Sequence, residues 1–245
     1  MKLDLTFDKD DIRAVNTLKE KYGSTKFVKK RNELIKSPPE LTKETIWKQL
    51  ITCLCTSQQR SGRNSNVGRF IRLEPFPLRY NKCKDHENLE QYISETLSNN
   101  KIRFYNNISR YAKENLKKLE SGEWDILIKI FKDIQSSKAE SRRTEERKAS
   151  RYIQDEFLGF GPKQSRHLLL GLGLAYYEIP LDSRILNWIN DRLEENKIPR
   201  QALSDEQFFC FLLDKISITS NQTSLLPTEF DALIFESVQK TRYKS

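Results

Sequence analysis

The stretch FLGFGPKQSRHLLLGLGLAYYEIPLDSR, from Phe157 to Arg184, decides the fold of this chain. Gly159 supplies the positive φ with which many helices end, and Pro162 suits the first position of a following helix. The run of leucines after residue 167 makes that second helix largely buried. The sequence therefore predicts two helices joined by a tight Gly159-Phe160-Gly161 turn.

The backbone N–H groups of this turn point outward at a helix N-terminus, where a phosphate binds readily. Such a contact would hold a nucleic-acid backbone whatever its sequence. Gly159 and Gly161 are therefore candidate DNA-binding residues. The alternative is a tight connection without a ligand, which is the usual role of a Gly-x-Gly turn between helices.

One lysine and one aspartate accompany the turn. Lys163 lies in the first turn of the second helix, where the helix dipole should lower the pKa of its amine. A lysine that is neutral part of the time can attack a sugar C1′ and form a Schiff base, although a plain phosphate contact is the alternative. Asp182 precedes an apolar stripe at helical spacing and is a natural N-cap. The same carboxylate can also stabilise a cationic sugar in a transition state.

The run LGFGPKQSRHLL, followed by IPLDSR, resembles the helix-hairpin-helix superfamily of DNA glycosylases, in particular its 8-oxoguanine DNA glycosylase/AP lyases. In that family the lysine after the hairpin is the Schiff-base nucleophile, and the aspartate after the next Pro-x element assists it. The resemblance therefore implies that Lys163 is the nucleophile and that Asp182 assists it. Their separation along the chain fits the family's pattern.

Two further segments support the resemblance. WKQLITCLCTSQQRSG, from Trp47 to Gly62, resembles the family's first core helix and its trailing Ser-Gln-Gln segment. This similarity implies that Gln58 and Gln59 contact DNA near the flipped base or its abandoned partner. KIRFYNNISRYA, from Lys101 to Ala112, is similar to a basic helix of the archaeal-type 8-oxoguanine glycosylases.

The chain also departs from parts of the superfamily. Iron–sulfur members carry four closely spaced cysteines, whereas the cysteines of this chain are scattered. We therefore expect no metal cluster and no cofactor. Some archaeal-type members end in a lysine that helps to read the oxidised base, whereas this chain ends Tyr243-Lys244-Ser245. The lesion is therefore inferred from the family likeness rather than from any single residue.

The charge of the chain suggests a polyanionic partner. The sequence holds 43 Lys and Arg against 34 Asp and Glu, a net charge of +9. Solubility alone is the alternative explanation, but the cations concentrate in residues 60–72 and 101–118, almost without acids. Arg60 in the first run, and Arg184, are candidate DNA contacts. Three aromatic residues interleave with the second run and either stack on bases or pack inward: Phe104, Tyr105 and Tyr111.

Amphipathic stripes at helical spacing fill the rest of the chain, and strand alternation is missing, which predicts an all-α fold. The resemblance implies one catalytic unit, residues 1–245, whose two helical lobes flank a DNA-binding cleft. Lobe one would be residues 45–145. Lobe two would combine residues 1–44 with 146–245 and contain the helix-hairpin-helix at 150–173. The charged segment at residues 138–151 is expected to be a solvated helix or a hinge between the lobes.

The sequence lacks an apolar span of 18 residues, and MKLDLTFDKDD at the N-terminus has no signal-peptide core. We expect a cytoplasmic monomer, nucleoid-associated if the source is prokaryotic, with no membrane contact. Only His86 and His167 could supply an imidazole, which offers little material for a metal site or a Ser-His-Asp triad. His167 shares a helix face with Lys163, and either lines a base pocket or packs beside the hairpin.

These features together predict a bifunctional glycosylase/AP lyase that acts on double-stranded DNA containing a damaged base. It would remove an oxidised purine, 8-oxoguanine, through a lysine Schiff base and β-elimination. Two alternatives remain open from the sequence. One is a glycosylase for another damaged base, and the other is a non-catalytic helix-hairpin-helix DNA-binding protein.

Overall fold

The computed structural model describes residues 7–193 and 197–242, and no strand occurs in these ranges. The predicted all-α fold is confirmed. The terminal Tyr243-Lys244-Ser245, which departs from the archaeal-type pattern, lies outside the described residues. None of the described helices is both long and apolar enough to cross a membrane.

The described residues form α1 (Lys9–Tyr22), α2 (Lys26–Lys36), α3 (Lys43–Thr56), α4 (Asn66–Phe70), α5 (Tyr80–Cys83), α6 (Leu89–Asn99), α7 (Tyr105–Lys118), α8 (Trp124–Ser136), α9 (Ala139–Glu156), α10 (Pro162–Gly171), α11 (Ser183–Asn190), α12 (Glu206–Gln222) and α13 (Pro227–Arg242). A kinked π-helical segment, Leu119–Glu123, joins α7 to α8, and a 3₁₀ helix, Arg200–Ser204, precedes α12.

The buried apolar side chains form two clusters. The first draws on residues from Ile46 to Ala175, so it includes α3 to α10. The second combines α1 and α2 with residues from Ile179 to Ile234. Both ends of the described chain therefore share one core, while the middle of the chain has another.

The lobe bounds expected from the sequence stay a prediction, and the boundary between the two apolar clusters lies later in the chain than residue 146. It falls at residues 176–178, because α9 and α10 turn their apolar faces toward the first cluster. Ala149, Ile153 and Leu168 are completely buried there. The apolar faces of the helices predicted at 150–173 therefore pack with the middle of the chain, while Arg166 of α10 also binds Glu206 of α12.

The charged segment at residues 138–151 is helical and lies almost wholly within α9. Two of its charged side chains are buried: Arg142 and Glu146. The Glu146 carboxylate accepts hydrogen bonds from the backbone N–H groups of residues 176–178 at 2.8 to 2.9 Å, and Arg142 donates to Glu146 at 3.1 Å. This segment therefore fixes the chain at the boundary between the clusters, rather than acting as a solvated spacer.

The four cysteines are buried and have free thiols. Burial raises the pKa of the Cys55 and Cys83 thiols to about 12, so both stay protonated at neutral pH. They act as small core residues.

Candidate functional site

The turn between α9 and α10 is shaped by Gly159. This residue has φ +85°, and a Cβ at its position would lie 2.6 Å from Cδ2 of Leu54 and 2.9 Å from Cδ2 of Tyr111. Both the backbone conformation and the close packing therefore require glycine. Gly161, the N-cap of α10, differs: a Cβ there would have no heavy atom within 4 Å. The backbone at Gly161 thus faces open space at a helix N-terminus.

Asn115 of α7 holds the turn in place. Its buried amide forms two hydrogen bonds with the backbone of Leu158: Nδ2 donates to the carbonyl at 2.9 Å, and Oδ1 accepts from the N–H at 2.8 Å. The Leu158 side chain remains 50% exposed beside this anchored backbone. Sequence reasoning missed Asn115, because nothing in a basic helix distinguishes an inward-facing asparagine that binds a distant turn.

A Gly159→Ala substitution should destabilise the protein by about 2 to 4 kcal/mol, since the left-handed conformation costs alanine roughly 1 kcal/mol and overpacking adds about 1 to 3 kcal/mol. Urea unfolding of the two proteins would measure this difference. Gly161→Ala is the matched control. It should change the free energy of unfolding by no more than about 0.5 kcal/mol, because its site is open and its φ of −96° is ordinary. Equal losses in both variants would contradict this account of the turn.

Lys163 follows Pro162 in the first turn of α10 and is half-buried. Its amine forms no hydrogen bond and no ion pair with residues 7–193 or 197–242. Burial is the largest cause that lowers the pKa of Lys163; Arg184 and Arg200 lower it further, while Asp182 opposes them. The pKa is lowered as predicted, but mainly by loss of water, which the sequence does not reveal. The amine therefore loses its proton, and becomes a nucleophile, at a lower pH than an ordinary lysine does.

Asp182 is the N-cap of α11, as predicted. Oδ1 accepts the backbone N–H groups of Arg184 at 2.8 Å and Ile185 at 3.5 Å, while Oδ2 accepts Nε of Arg184 at 2.8 Å. Burial alone would raise the pKa of Asp182, but the hydrogen bonds and charge of Arg184, together with Lys163, hold it below its ordinary value. The carboxylate is therefore fixed and ionised near Lys163, without being paired to it.

Arg184, a predicted DNA contact, has its guanidinium on the Asp182 carboxylate and 4.3 Å from the ring centroid of Phe235. It positions Asp182 in this structure, and its contact with DNA stays a prediction.

The predicted contacts after α3 have different surroundings. Gln58 is exposed with φ +54°, and Arg60 is exposed. The Gln59 amide instead binds the backbone of Arg103, donating to its carbonyl at 3.2 Å and accepting its N–H at 3.1 Å. Gln59 therefore shapes the segment before α7, and direct DNA contacts of these residues stay predictions.

That segment, residues 101–104, is strained. Lys101 and Phe104 both have positive φ, 56° and 61°, which is uncommon for residues other than glycine. The Phe104 ring is 43% exposed, and the Arg103 guanidinium lies 4.8 Å from its centroid. A strained backbone that presents an aromatic ring and an arginine to solvent is typical of a binding surface.

His167 lies beside Lys163, one turn along α10. Its Nδ1 is 3.2 Å from the Thr56 hydroxyl. Burial, then the charges of Lys163 and Arg31, lower the pKa of His167 to about 3, so the ring is neutral at physiological pH. The choice between lining a base pocket and packing beside the turn stays a prediction.

Two charged residues near this site were missed by sequence reasoning. Asp231 of α13 is only 5% exposed, and Arg31 of α2 is half-buried. Burial, then the Asp182 charge, raises the pKa of Asp231 to about 6, while Arg31 opposes this shift. The Asp231 carboxylate forms no hydrogen bond or ion pair within the part of the chain that the structure describes. An acid within the apolar stripe of α13 was the available signal, because acids are rarely buried without a partner.

These side chains come from both clusters. Lys163 and His167 belong to α10 and the first cluster, whereas Arg31, Asp182 and Asp231 belong to elements of the second. The site therefore lies where the two clusters meet. Within the described residues it combines an amine without a hydrogen bond or ion pair, a fixed carboxylate and a buried carboxyl without a partner.

Comparison with solved structures places this fold beside those of 8-oxoguanine DNA glycosylases. The 8-oxoguanine DNA glycosylase of Thermotoga maritima superposes with a TM-score of 0.69 at 17% identity, over 94% of this chain and 96% of that one. The Methanocaldococcus jannaschii 8-oxoguanine glycosylase/lyase, in complex with 15mer DNA containing 8-oxoguanine, gives 0.67 at 18% identity, over 91% and 94%. A second structure of an 8-oxoguanine DNA glycosylase from Methanocaldococcus jannaschii gives a TM-score of 0.67 at 17% identity, over 93% of this chain and 94% of that one. The shared fold thus extends over nearly the whole of each chain.

No family model matches the sequence, and no curated protein sequence matches it either.

Proposed function

We propose that this protein is a DNA glycosylase with AP lyase activity that removes 8-oxoguanine from double-stranded DNA. The observation that carries the proposal is the half-buried amine of Lys163, which has a lowered pKa and no pairing with the described residues, near the fixed carboxylate of Asp182. A solvated lysine that contacts phosphate would need neither the burial nor the neighbouring acid. The fold shared with 8-oxoguanine DNA glycosylases supports the same reaction class.

In this mechanism the neutral Nζ of Lys163 attacks C1′ of the damaged nucleotide. A C1′–N bond forms as the glycosidic bond breaks, and the departing base takes the bonding electrons and then a proton. Asp182 stabilises the positive charge that develops on the sugar. The attached amine then loses one proton, and the C1′–O4′ bond breaks as O4′ takes up a proton, which gives a protonated Schiff base. Removal of a proton from C2′ forms the C2′–C3′ double bond and expels the 3′ phosphate by β-elimination, with the protonated imine as the electron sink.

Asp231 is the candidate for reading the base. In guanine, N7 and O6 are both hydrogen-bond acceptors, whereas 8-oxoguanine carries a hydrogen on N7 and can donate there. Both bases also carry N–H donors at N1 and N2. With a pKa of about 6, Asp231 is mostly an ionised acceptor at neutral pH. A buried acceptor without a partner in the described part of the protein matches these N–H donors, because it gains hydrogen bonds when the base enters.

The surface around the site is suited to a DNA backbone. Gly161 presents an open helix N-terminus to a phosphate, and exposed Arg60 supplies positive charge. Phe104 and Leu158 are exposed apolar side chains whose segments are held by the Gln59 and Asn115 amides described above. Such side chains can enter the base stack when a nucleotide is extruded into an enzyme.

The proposal is tested with 5′-labelled duplexes that each contain one lesion, incubated with the protein and sodium borohydride. A covalent adduct and strand cleavage are expected with 8-oxoguanine and not with undamaged guanine. Cleavage restricted to another damaged base would assign a different substrate. Binding without cleavage of any lesion would overturn the enzymatic proposal in favour of a DNA-binding protein.

An Asp231→Asn substitution should lower the rate of 8-oxoguanine release about 10- to 100-fold, the value of one or two charge-assisted hydrogen bonds. The stability of the variant, by contrast, should stay equal or increase. The pKa of Asp231 is raised from 3.8 to about 6, so the wild type loses stability as the pH rises through this window. The asparagine variant lacks this loss and should melt at an equal or higher temperature at pH 8. A variant that melts lower and excises normally would mean that Asp231 is structural.

A further inference from the structure

A second group of charged side chains is centred on Arg166, three residues after Lys163 on α10. Arg166, one turn later on α10, is 0% exposed. Its Nε donates to Glu178 at 2.8 Å, and its two Nη atoms donate to the two carboxylate oxygens of Glu206 at 3.0 and 2.8 Å. The guanidinium also lies 4.6 Å from the ring centroid of Phe209. Arg166 is therefore held in a bidentate pair with α12 and in a second pair with the segment between the clusters.

The same guanidinium holds the start of α10. Its Nη1 donates to the backbone carbonyl of Pro162 at 3.1 Å, which is the residue before Lys163. Any displacement of Arg166 would therefore move the first turn of the helix that carries the nucleophile. Glu206 is fixed in turn by the amide of Gln154 on α9, which donates to it at 3.0 Å.

The position of this group explains what it could control. Lys163 belongs to the first cluster and Asp182 to the second, so their separation depends on how α10 sits against α12. Buried ion pairs add little net stability compared with apolar residues of the same volume, but they admit few alternative geometries. The Glu206 side chain keeps 25% of its surface exposed, so its pair with the buried Arg166 guanidinium is partly screened by solvent and is better explained by geometry than by stability.

We propose that Arg166 and Glu206 are positioning residues that hold Lys163 at the correct distance from Asp182 for attack on the sugar. This inference rests on the proposed glycosylase/lyase function.

The neighbouring ion pairs provide a matched control. Asp214, 47% exposed, lies on the same helix as Glu206 and accepts hydrogen bonds from Arg143 and Arg147 on α9. Like Glu206, it joins α12 to the first cluster through arginine. Unlike Glu206, it has no hydrogen bond or ion pair with α10 among the described residues.

The experiment compares Glu206→Gln with Asp214→Asn under single-turnover conditions, with enzyme in excess over an 8-oxoguanine duplex. The Glu206→Gln variant should form the borohydride-trapped adduct about 100-fold more slowly, since an error of about 1 Å in placing a reacting group can cost this much. Its DNA affinity should stay within about twofold of wild type. The pH at which the rate levels off should not move, because Glu206 is not among the groups that mainly shift the pKa of Lys163. Asp214→Asn should react within about twofold of wild type.

Melting temperatures of both variants show whether stability explains the result. Equal slowing of both variants, or a normal rate for Glu206→Gln, would overturn the positioning role. Glu206→Asp provides a folded intermediate case: it keeps the charge but shortens the reach, so its rate should lie between wild type and Glu206→Gln. If the wild type forms no adduct, the proposed function and this inference are refuted together. If the wild type is active and Glu206→Gln reacts at the wild-type rate, only the inference is refuted.

Discussion

The Lys163→Gln variant will form no borohydride-trapped adduct, and its rate of strand cleavage at 8-oxoguanine will fall by about a thousandfold or more, the scale of losing a catalytic nucleophile. Glutamine cannot form an imine, so the variant lacks the proposed nucleophile. The change should leave the fold intact, because burial already disfavours the charge of Lys163. Gel analysis of trapped and cleaved products under single turnover measures both losses.

Binding separates this loss from a general defect. Lys163→Gln should retain DNA affinity within a fewfold of wild type, because the other proposed backbone contacts remain. Lys129→Gln is the control, since this exposed lysine on α8 pairs with Asp133 on the same helix and should react normally. Wild-type adduct formation should also speed up with pH and level off below the ordinary lysine pKa of 10.5, because the neutral amine attacks. An adduct with Lys163→Gln would assign the nucleophile to another residue.

The sequence predicts local features of this protein well. The Gly159 turn, the Pro162 start of α10 and the Asp182 cap each depend on interactions within a few residues, so pattern alone identifies them. From the position of Lys163 in α10 the sequence predicts that its pKa is lowered, but it does not reveal the main cause. Its main cause, burial where two clusters meet, is a property of the folded chain.

Contacts between distant segments account for what the sequence did not predict. Asn115 binds the turn from another helix, and Asp231 reaches the site from the last one. The charged composition of residues 138–151 favours a solvated segment, yet Glu146 meets the backbone of residues 176–178. A charged side chain can be buried when its partners lie far along the chain, and no periodicity reveals those partners.

Asp182→Asn will lower the rate of base release about 100-fold, a loss typical of removing one electrostatic group that faces developing charge. The substitution isolates charge from capping, because asparagine caps helices as well as aspartate does. The amide oxygen of the substituted side chain can still accept the N–H groups of Arg184 and Ile185. It cannot stabilise a cationic sugar to the same degree, and it holds the Arg184 guanidinium less firmly.

Asp8→Asn is the matched control, since Asp8 caps α1 in a similar conformation and accepts the N–H groups of Asp10 and Asp11 at 2.8 and 3.0 Å. Both variants should keep their helix cap, and Asp182→Asn should lose somewhat more stability on urea unfolding because it also weakens the pair with Arg184. Only Asp182→Asn should lose activity. DNA affinity should remain close to wild type in both. Equal rates of base release would reduce Asp182 to a capping residue, and Lys163 would then have to attack without a carboxylate to balance the charge on the sugar.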